Sequence, residues 1–316
     1  MFSTAQSHVD FPTDVNAKLY QTIQLHGYSI MVKRLDLIHP TISGNKFFKL
    51  KYHLHHAKQN QKNILISFGG AYSNHIYALA HAGQQFGFKT IGIIRGEELQ
   101  NQPLNPQLNI AQDLGMQLRF ISREQYRLKH TDDFLQQLQA DYPDAWIIPE
   151  GGTHDLAVQG CQEILNPSDK ENDIIACAVG TGGTFSGLIR SPDKNSQTNV
   201  QYLGFCALTG EKHLTDIRQT ILKYTADLNH INWQLFDDNA IHGFGGYAKT
   251  TAKLWQFIHD MQQQNLPLEP IYTGKALYRL GQYLLQNDIP KSQKILFIHT
   301  GGLQVLQHSP MAQHLV

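Results

Sequence analysis

The chain has 316 residues, 41% of them hydrophobic, with 26 basic and 26 acidic side chains and a formal charge of zero. Its length exceeds what one core usually serves, so two domains are expected, and without net positive charge or a basic stripe no nucleic-acid partner is expected. No apolar run is long enough to cross a membrane, residues 1–14 lack the basic and apolar segments of a secretion signal, and Cys161, Cys177 and Cys206 form no paired motif, so a reducing cytoplasm is the expected home.

Along the chain, apolar runs alternate with helical periodicity, the pattern of an α/β fold. Strands are expected at residues 29–33, 63–67, 90–94, 117–121, 146–148, 174–179, 201–206 and 294–299. Helices are expected at 45–59, 74–86, 107–114, 123–140, 156–164, 247–264 and 274–287, with a further short one after the glycines at 182 and 183. Residues 191–199 are polar and read as a loop, and there is no internal repeat or low-complexity linker.

Four segments at helix starts or strand ends carry possible chemistry. In Ser43-Gly44-Asn45-Lys46, a lysine stands on the first turn of a helix, where the helix dipole disfavours a cation. Lys46 is misplaced there unless its amine is neutral or covalently engaged, and a lysine of lowered pKa is what a Schiff base with an aldehyde requires. A solvated lysine in a helix cap is the competing reading.

The second segment, Gly180-Thr181-Gly182-Gly183-Thr184, follows a hydrophobic strand and opens a helix, so its backbone N–H groups suit a phosphate. Leu188 stands where a Walker loop has lysine, and Phe185 where a dinucleotide fingerprint has its third glycine, so a small terminal phosphate fits best. An ordinary tight turn is the alternative. A reactive lysine and a phosphate cup in one chain together suggest pyridoxal 5′-phosphate.

The third segment, Ser73-Asn74-His75, follows another strand and glycine turn. Ser73 or Asn74 can simply cap the helix; equally, Asn74 could bond a ring hydroxyl, and Ser73 could reach a substrate carboxylate or move a proton. The fourth, His299-Thr300-Gly301-Gly302, ends a buried strand, and open α/β sheets bind ligands at such carboxyl ends. His53 and His56 share a helix face, but no carboxylate or cysteine completes a metal site, and none is expected.

Taken in order, Gly44-Asn45-Lys46 with Lys49-Leu50, Ser73-Asn74-His75, Gly180 to Thr184, Tyr272 with Gly274-Lys275, and His299 to Gly302 resemble the 1-aminocyclopropane-1-carboxylate deaminase / D-cysteine desulfhydrase family of fold-type-II pyridoxal phosphate enzymes. The resemblance covers most of the chain, from about residue 34 to 306. It implies a two-domain fold related to the tryptophan synthase β chain, with parallel-rich twisted sheets covered by helices. A small α/β domain, 48–149, would be inserted into a large cofactor-binding domain made of 1–47 and 150–316. By the same resemblance Lys46 would carry the cofactor and Asn74 would bind its 3′-oxygen. Gly180, Thr181, Gly182, Gly183 and Thr184 would hold its phosphate, and Tyr272 would be an active-site tyrosine. Ser73, Asn74, His75, Phe244 and Tyr272 would meet the substrate, and a homodimer is implied.

The family's two activities differ at two places. Deaminase-type members resemble one another in a Glu after the active-site tyrosine and a Leu before the late glycine pair; this chain has Thr273 and Thr300 there, like the desulfhydrase type. A carboxylate beside the pyridine nitrogen keeps it protonated, whereas a threonine donating to a neutral nitrogen makes a weaker electron sink. That weaker sink suffices when a good leaving group such as a thiolate departs. The expected activity is therefore α,β-elimination, D-cysteine to pyruvate, sulfide and ammonia. Cyclopropane ring opening to 2-oxobutyrate is the alternative enzyme reading. Phe47-Phe48 departs from the family, and Phe244 occupies the place of its second active-site tyrosine, with Tyr247 as a possible substitute. Those departures keep open a third reading, a cofactor-binding protein with little turnover.

Overall fold

The computed structural model describes residues 19–191, 199–207, 210–237, 243–244 and 249–307. The first half of the chain forms β1 (Tyr20–Leu25), β2 (Tyr28–Arg34), α1 (Asn45–Gln59), β3 (Ile64–Gly69), α2 (Asn74–Phe86), β4 (Lys89–Arg95), α3 (Pro106–Asp113), β5 (Gln117–Ile121), α4 (Arg123–Arg127), α5 (Asp132–Asp141) and β6 (Ala145–Ile147). The second half forms α6 (Asp155–Gln162), β7 (Ile174–Val179), α7 (Gly183–Arg190), β8 (Gln201–Cys206), α8 (Glu211–Thr225), β9 (Asn232–Phe236), α9 (Ala252–Gln262), α10 (Thr273–Gln286), β10 (Ile295–His299) and α11 (Gln304–Gln307).

These strands make two sheets. One has six strands in the order β1-β2-β10-β7-β8-β9, the other four in the order β5-β4-β3-β6. Only the β1–β2 hairpin is antiparallel; every other pairing is parallel. All six residues of β7 are buried, as an unbroken apolar run must be when both faces of a parallel sheet are covered. One core cluster joins the sheets, drawing Leu65 and Ile94 from the four-stranded sheet and Ile175 and Val179 from the six-stranded one. Within it α1 packs against α6. A second cluster fills the other face of the six-stranded sheet beneath α9 and α10.

Four expectations change. The hairpin strand β1 was not read from sequence; its turn is His26-Gly27, with φ of 51° and 77°, the two positive values a tight two-residue hairpin needs. The helix expected at 123–140 is two helices, α4 and α5, because the Thr131 hydroxyl donates back to Leu128 O and closes a turn between them. The helix expected at 247–264 is α9, and residue 247 lies outside the described residues. Finally, α8 and β9 were missed; α8 buries only Ile217, Ile221 and Thr225, a stripe too narrow to stand out.

Among the described residues no helix is long and apolar enough to cross a membrane. The carboxyl ends of β3, β7 and β10 lead into the three segments that carry the motifs, and these meet at the start of α1.

Candidate active site

Gly44 sets the entry to α1. Its φ is +69°, and a Cβ there would lie 2.2 Å from Thr300 O, so only glycine lets the two backbones approach. Asn45 then bonds both neighbours: its N–H donates to Thr300 O at 3.0 Å and its side-chain amide to Thr184 Oγ1 at 2.8 Å. Lys46 follows, its amine donating to Asn45 Oδ1 at 3.2 Å. Lys46 as a whole keeps partial solvent exposure, but its amine is surrounded by protein, and burial, aided by the nearby Lys49 cation, brings its pKa down to about 7.

Lys49, one turn later, is buried and points at the glycine-rich segment. Its amine donates to Gly151 O (2.8 Å), Thr153 Oγ1 (3.1 Å) and Thr181 Oγ1 (3.4 Å), and burial lowers its pKa to about 8. The Thr153 and Thr181 hydroxyls are 2.5 Å apart. Gly182, left-handed at φ 87°, ends this segment and starts α7. A Cβ at Gly182 would point at α8, meeting Ile217 O at 3.4 Å, so its role is conformational; it is Gly183 whose Cβ would collide with Thr153 Oγ1, at 2.8 Å. Among the described residues no carboxylate pairs with Lys46 or Lys49. Two adjacent amines without a counter-charge, beside free N–H groups of a helix start, suit a dianion.

Ser73 caps α2 through its oxygen, which accepts from Ile76 N at 3.3 Å and leaves the hydroxyl proton for another partner. Asn74 Oδ1 accepts from Gln304 Nε2 at 2.9 Å, which orients the Asn74 NH2 away from that bond as a donor. His75 is buried, and Ser67 Oγ, which donates to Ile148 O, lies 2.8 Å from its Nε2. This pattern makes Nε2 the protonated nitrogen and leaves Nδ1 a buried acceptor with no partner among the described residues. Burial first, then the Lys46 and Lys49 cations, hold His75 neutral. The other buried histidine of interest, His53, accepts from Trp146 Nε1 at 3.0 Å and lies 3.2 Å from Gly152 O, so both its nitrogens are taken.

The Tyr272 ring lies against the end of β7, 3.2 Å from the place of a Gly180 Cβ. Thr273 is fully buried, its hydroxyl donating to Glu269 Oε1 at 3.0 Å rather than pointing freely outward. Thr300 is buried with its carbonyl on Asn45. The structure thus brings Lys46, Thr184 and Thr300 together through Asn45, Tyr272 to Gly180, and Asn74 to Gly302, where a Cβ would meet Asn74 Nδ2 at 2.8 Å. Phe244 is fully buried in the core cluster against which Tyr272 packs, its ring 5.0 Å from the Tyr278 ring. Tyr247, the possible substitute, lies outside the described residues.

Sequence reasoning missed Thr153, Gln304 and Glu269, and gave Lys49 no role. Only Lys49 had a signal, one turn after Lys46 on the same helix.

The residues present fit pyridoxal 5′-phosphate. A neutral buried amine answers its aldehyde, the Lys49–Thr181 corner and the start of α7 answer its phosphate, and the Asn74 amide answers its ring oxygen. Known proteins agree. A Pyrococcus abyssi protein named as a candidate 1-aminocyclopropane-1-carboxylate deaminase is 30% identical over 294 residues, covering 89% of this chain and 87% of its own. The bifunctional D-cysteine desulfhydrase/1-aminocyclopropane-1-carboxylate deaminase of Arabidopsis thaliana, a mitochondrial protein, is 28% identical over 300 residues, 88% of this chain and 73% of its own. The crystal structure of an ACC deaminase homologue superposes with a TM-score of 0.72 at 27% identity, covering 88% of this chain and 85% of that one. With residues 13–301 matching that family, the chain belongs to the pyridoxal-phosphate dependent enzymes, in the group of 1-aminocyclopropane-1-carboxylate deaminases and D-cysteine desulfhydrases, and has their fold-type-II architecture.

Proposed function

We propose that the chain is a lyase that carries out α,β-elimination on a small amino acid, D-cysteine or a close relative, releasing pyruvate, ammonia and, from cysteine, sulfide. The observation that carries this reading is the Lys46 amine, buried and brought to about 7 next to a cradle for a dianion. Bound there, the cofactor supplies an aldehyde for Lys46 and an electron-withdrawing ring that takes up charge from the substrate's Cα. Lys49, Thr181 and the first turn of α7 would hold its phosphate, and the Asn74 amide its 3′-oxygen.

With the substrate bound, the Lys46 amine, its pKa lowered to about 7, would be the group to take the Cα proton. The hydroxyls of Ser73 and Tyr272 are the other candidates for moving that proton. Ser73, with its O–H left over from capping α2, suits a substrate carboxylate. Thr273 and Thr300 match the desulfhydrase type of the family, and that match supports elimination over ring opening. A second reading, 1-aminocyclopropane-1-carboxylate deamination to 2-oxobutyrate, is favoured by one observation: a carboxylate, Glu269, lies directly behind Thr273. A homodimer in a reducing cytoplasm completes the proposal, and three buried free cysteines suit such a compartment.

The test is product release from a panel of D- and L-amino acids. Pyruvate from D-cysteine or a β-chloroalanine enantiomer supports elimination, and dominant 2-oxobutyrate from the cyclopropane substrate overturns it. No product from either, with cofactor bound, favours a binding protein with little turnover.

A further inference from the structure

Glu269 is wholly buried, and its carboxylate is met by donors alone. Oε2 accepts from Ile271 N at 2.7 Å, and Oε1 from Tyr272 N (2.9 Å), Thr273 N (2.5 Å) and Thr273 Oγ1 (3.0 Å). The Glu269 N–H in turn donates to Thr273 Oγ1 at 3.2 Å. A threonine hydroxyl has one proton and two lone pairs. Here the proton is given to Glu269 and one lone pair to its N–H, so Thr273 retains one acceptor position and no donor. Turning that proton away would leave the lone pairs of Oγ1 and Oε1 facing each other at 3.0 Å and take one donor from a buried carboxylate.

The same turn spans the site. At one end the Tyr272 ring lies against Gly180. At the other, a Cβ at Gly302 would meet Glu269 Cγ at 3.3 Å on one side and Asn74 Nδ2 at 2.8 Å on the other. Residues 269–273 therefore run between Gly180 at the end of β7 and the contact of Gly302 with Asn74.

We infer that Glu269 is a positioning residue that locks Thr273 as a hydrogen-bond acceptor, so that the ring nitrogen of the bound cofactor meets Thr273 carrying a proton. The inference rests on the placement of Thr273 beside the ring nitrogen that the family resemblance implies. It reverses the direction of the bond expected from sequence, where Thr273 donates to a neutral nitrogen. A threonine backed by a buried carboxylate then does part of the work of a carboxylate at position 273.

The experiment compares dissociation constants of pyridoxal 5′-phosphate and its 1-deaza analogue, in which C–H replaces the ring nitrogen, for the folded apoprotein and its variants. The nitrogen-15 chemical shift of the labelled cofactor ring is the second readout. Wild type and Glu269→Asp are expected to prefer the natural cofactor about tenfold, the worth of one good hydrogen bond, and to show the shift of a protonated nitrogen. Glu269→Gln and Thr273→Val are expected to lose most of both. If Glu269→Gln keeps both while Thr273→Val loses them, Glu269 is only a helix cap and the inference falls. If Thr273→Val also keeps both, the placement of Thr273 is wrong and the inference falls with it. Should Glu269→Gln fail to fold, the wild-type shift decides alone, and a neutral ring nitrogen overturns the inference. None of these outcomes depends on which amino acid is turned over, so failure of D-cysteine elimination is a separate result.

Discussion

The side chain of Asn45 donates to Thr184 Oγ1 across 2.8 Å while its backbone N–H donates to Thr300 O at 3.0 Å. The residue before Lys46 is thereby tied to the glycine-rich segment after β7 and to the segment after β10. Asn45→Ala removes the first tie and also the bond from the Lys46 amine to Asn45 Oδ1. Each such bond is worth about 1 kcal/mol, so cofactor affinity should fall about fivefold or more with little change in fold. Equilibrium dialysis with pyridoxal 5′-phosphate measures it; unchanged affinity would show that the tie does not hold the loop.

Borohydride reduction of the cofactor-loaded protein should fix the label on Lys46, with none on Lys49 or Lys51. Capture of the aldehyde by the apoprotein needs the neutral amine, so its rate should rise with pH through about 7 and then level off. Stability follows the same sign. The folded pKa of Lys46 lies below the unfolded 10.5, so between the two the unfolded chain holds the extra proton and the folded apoprotein gains stability as pH rises. Lys49, lowered to about 8, contributes in the same direction over a narrower window. A capture rate flat from pH 6 to 9 would contradict a depressed Lys46.

Gly182→Asp should weaken cofactor binding by about tenfold or more. An aspartate at φ 87° is strained by about 1–3 kcal/mol, and its charge would lie beside the segment proposed to hold the phosphate. Because the new side chain points at α8, the harm comes from the shifted loop and the charge, not from a side chain in the anion's place. Gly182→Asn, which tolerates the left-handed region and carries no charge, should recover much of the affinity. Equal losses in the two variants would show that charge plays no part.

Thr273→Glu alone should destabilise the protein, because it buries a second carboxylate against Glu269 and removes the hydroxyl bonded to it. Combined with Glu269→Gln and Thr300→Leu, the same substitution should fold and shift the product ratio from pyruvate towards 2-oxobutyrate. Thermal melting checks the first part and product analysis the second. A stable Thr273→Glu single variant would mean that the Glu269 pocket is more open than its full burial implies.

Local pattern alone determined much of this architecture. Helices α1 and α2 and strands β5, β7 and β8 occupy the residues expected of them, since periodicity, an unbroken apolar run or a Ser73 cap is written within a few neighbouring positions. The lysine at a helix start and the glycine-rich turn after β7 were legible for the same reason. Tertiary structure decided how these pieces serve one another. Lys49 reaches Thr181 across 132 positions and Gln304 orients Asn74 across 230. The proton of Thr273 is committed to a Glu269 that carried no signal in the sequence. Periodicity records which face of an element is buried, whereas the direction of a buried hydrogen bond depends on every donor and acceptor that folding brings within 3 Å or so of it.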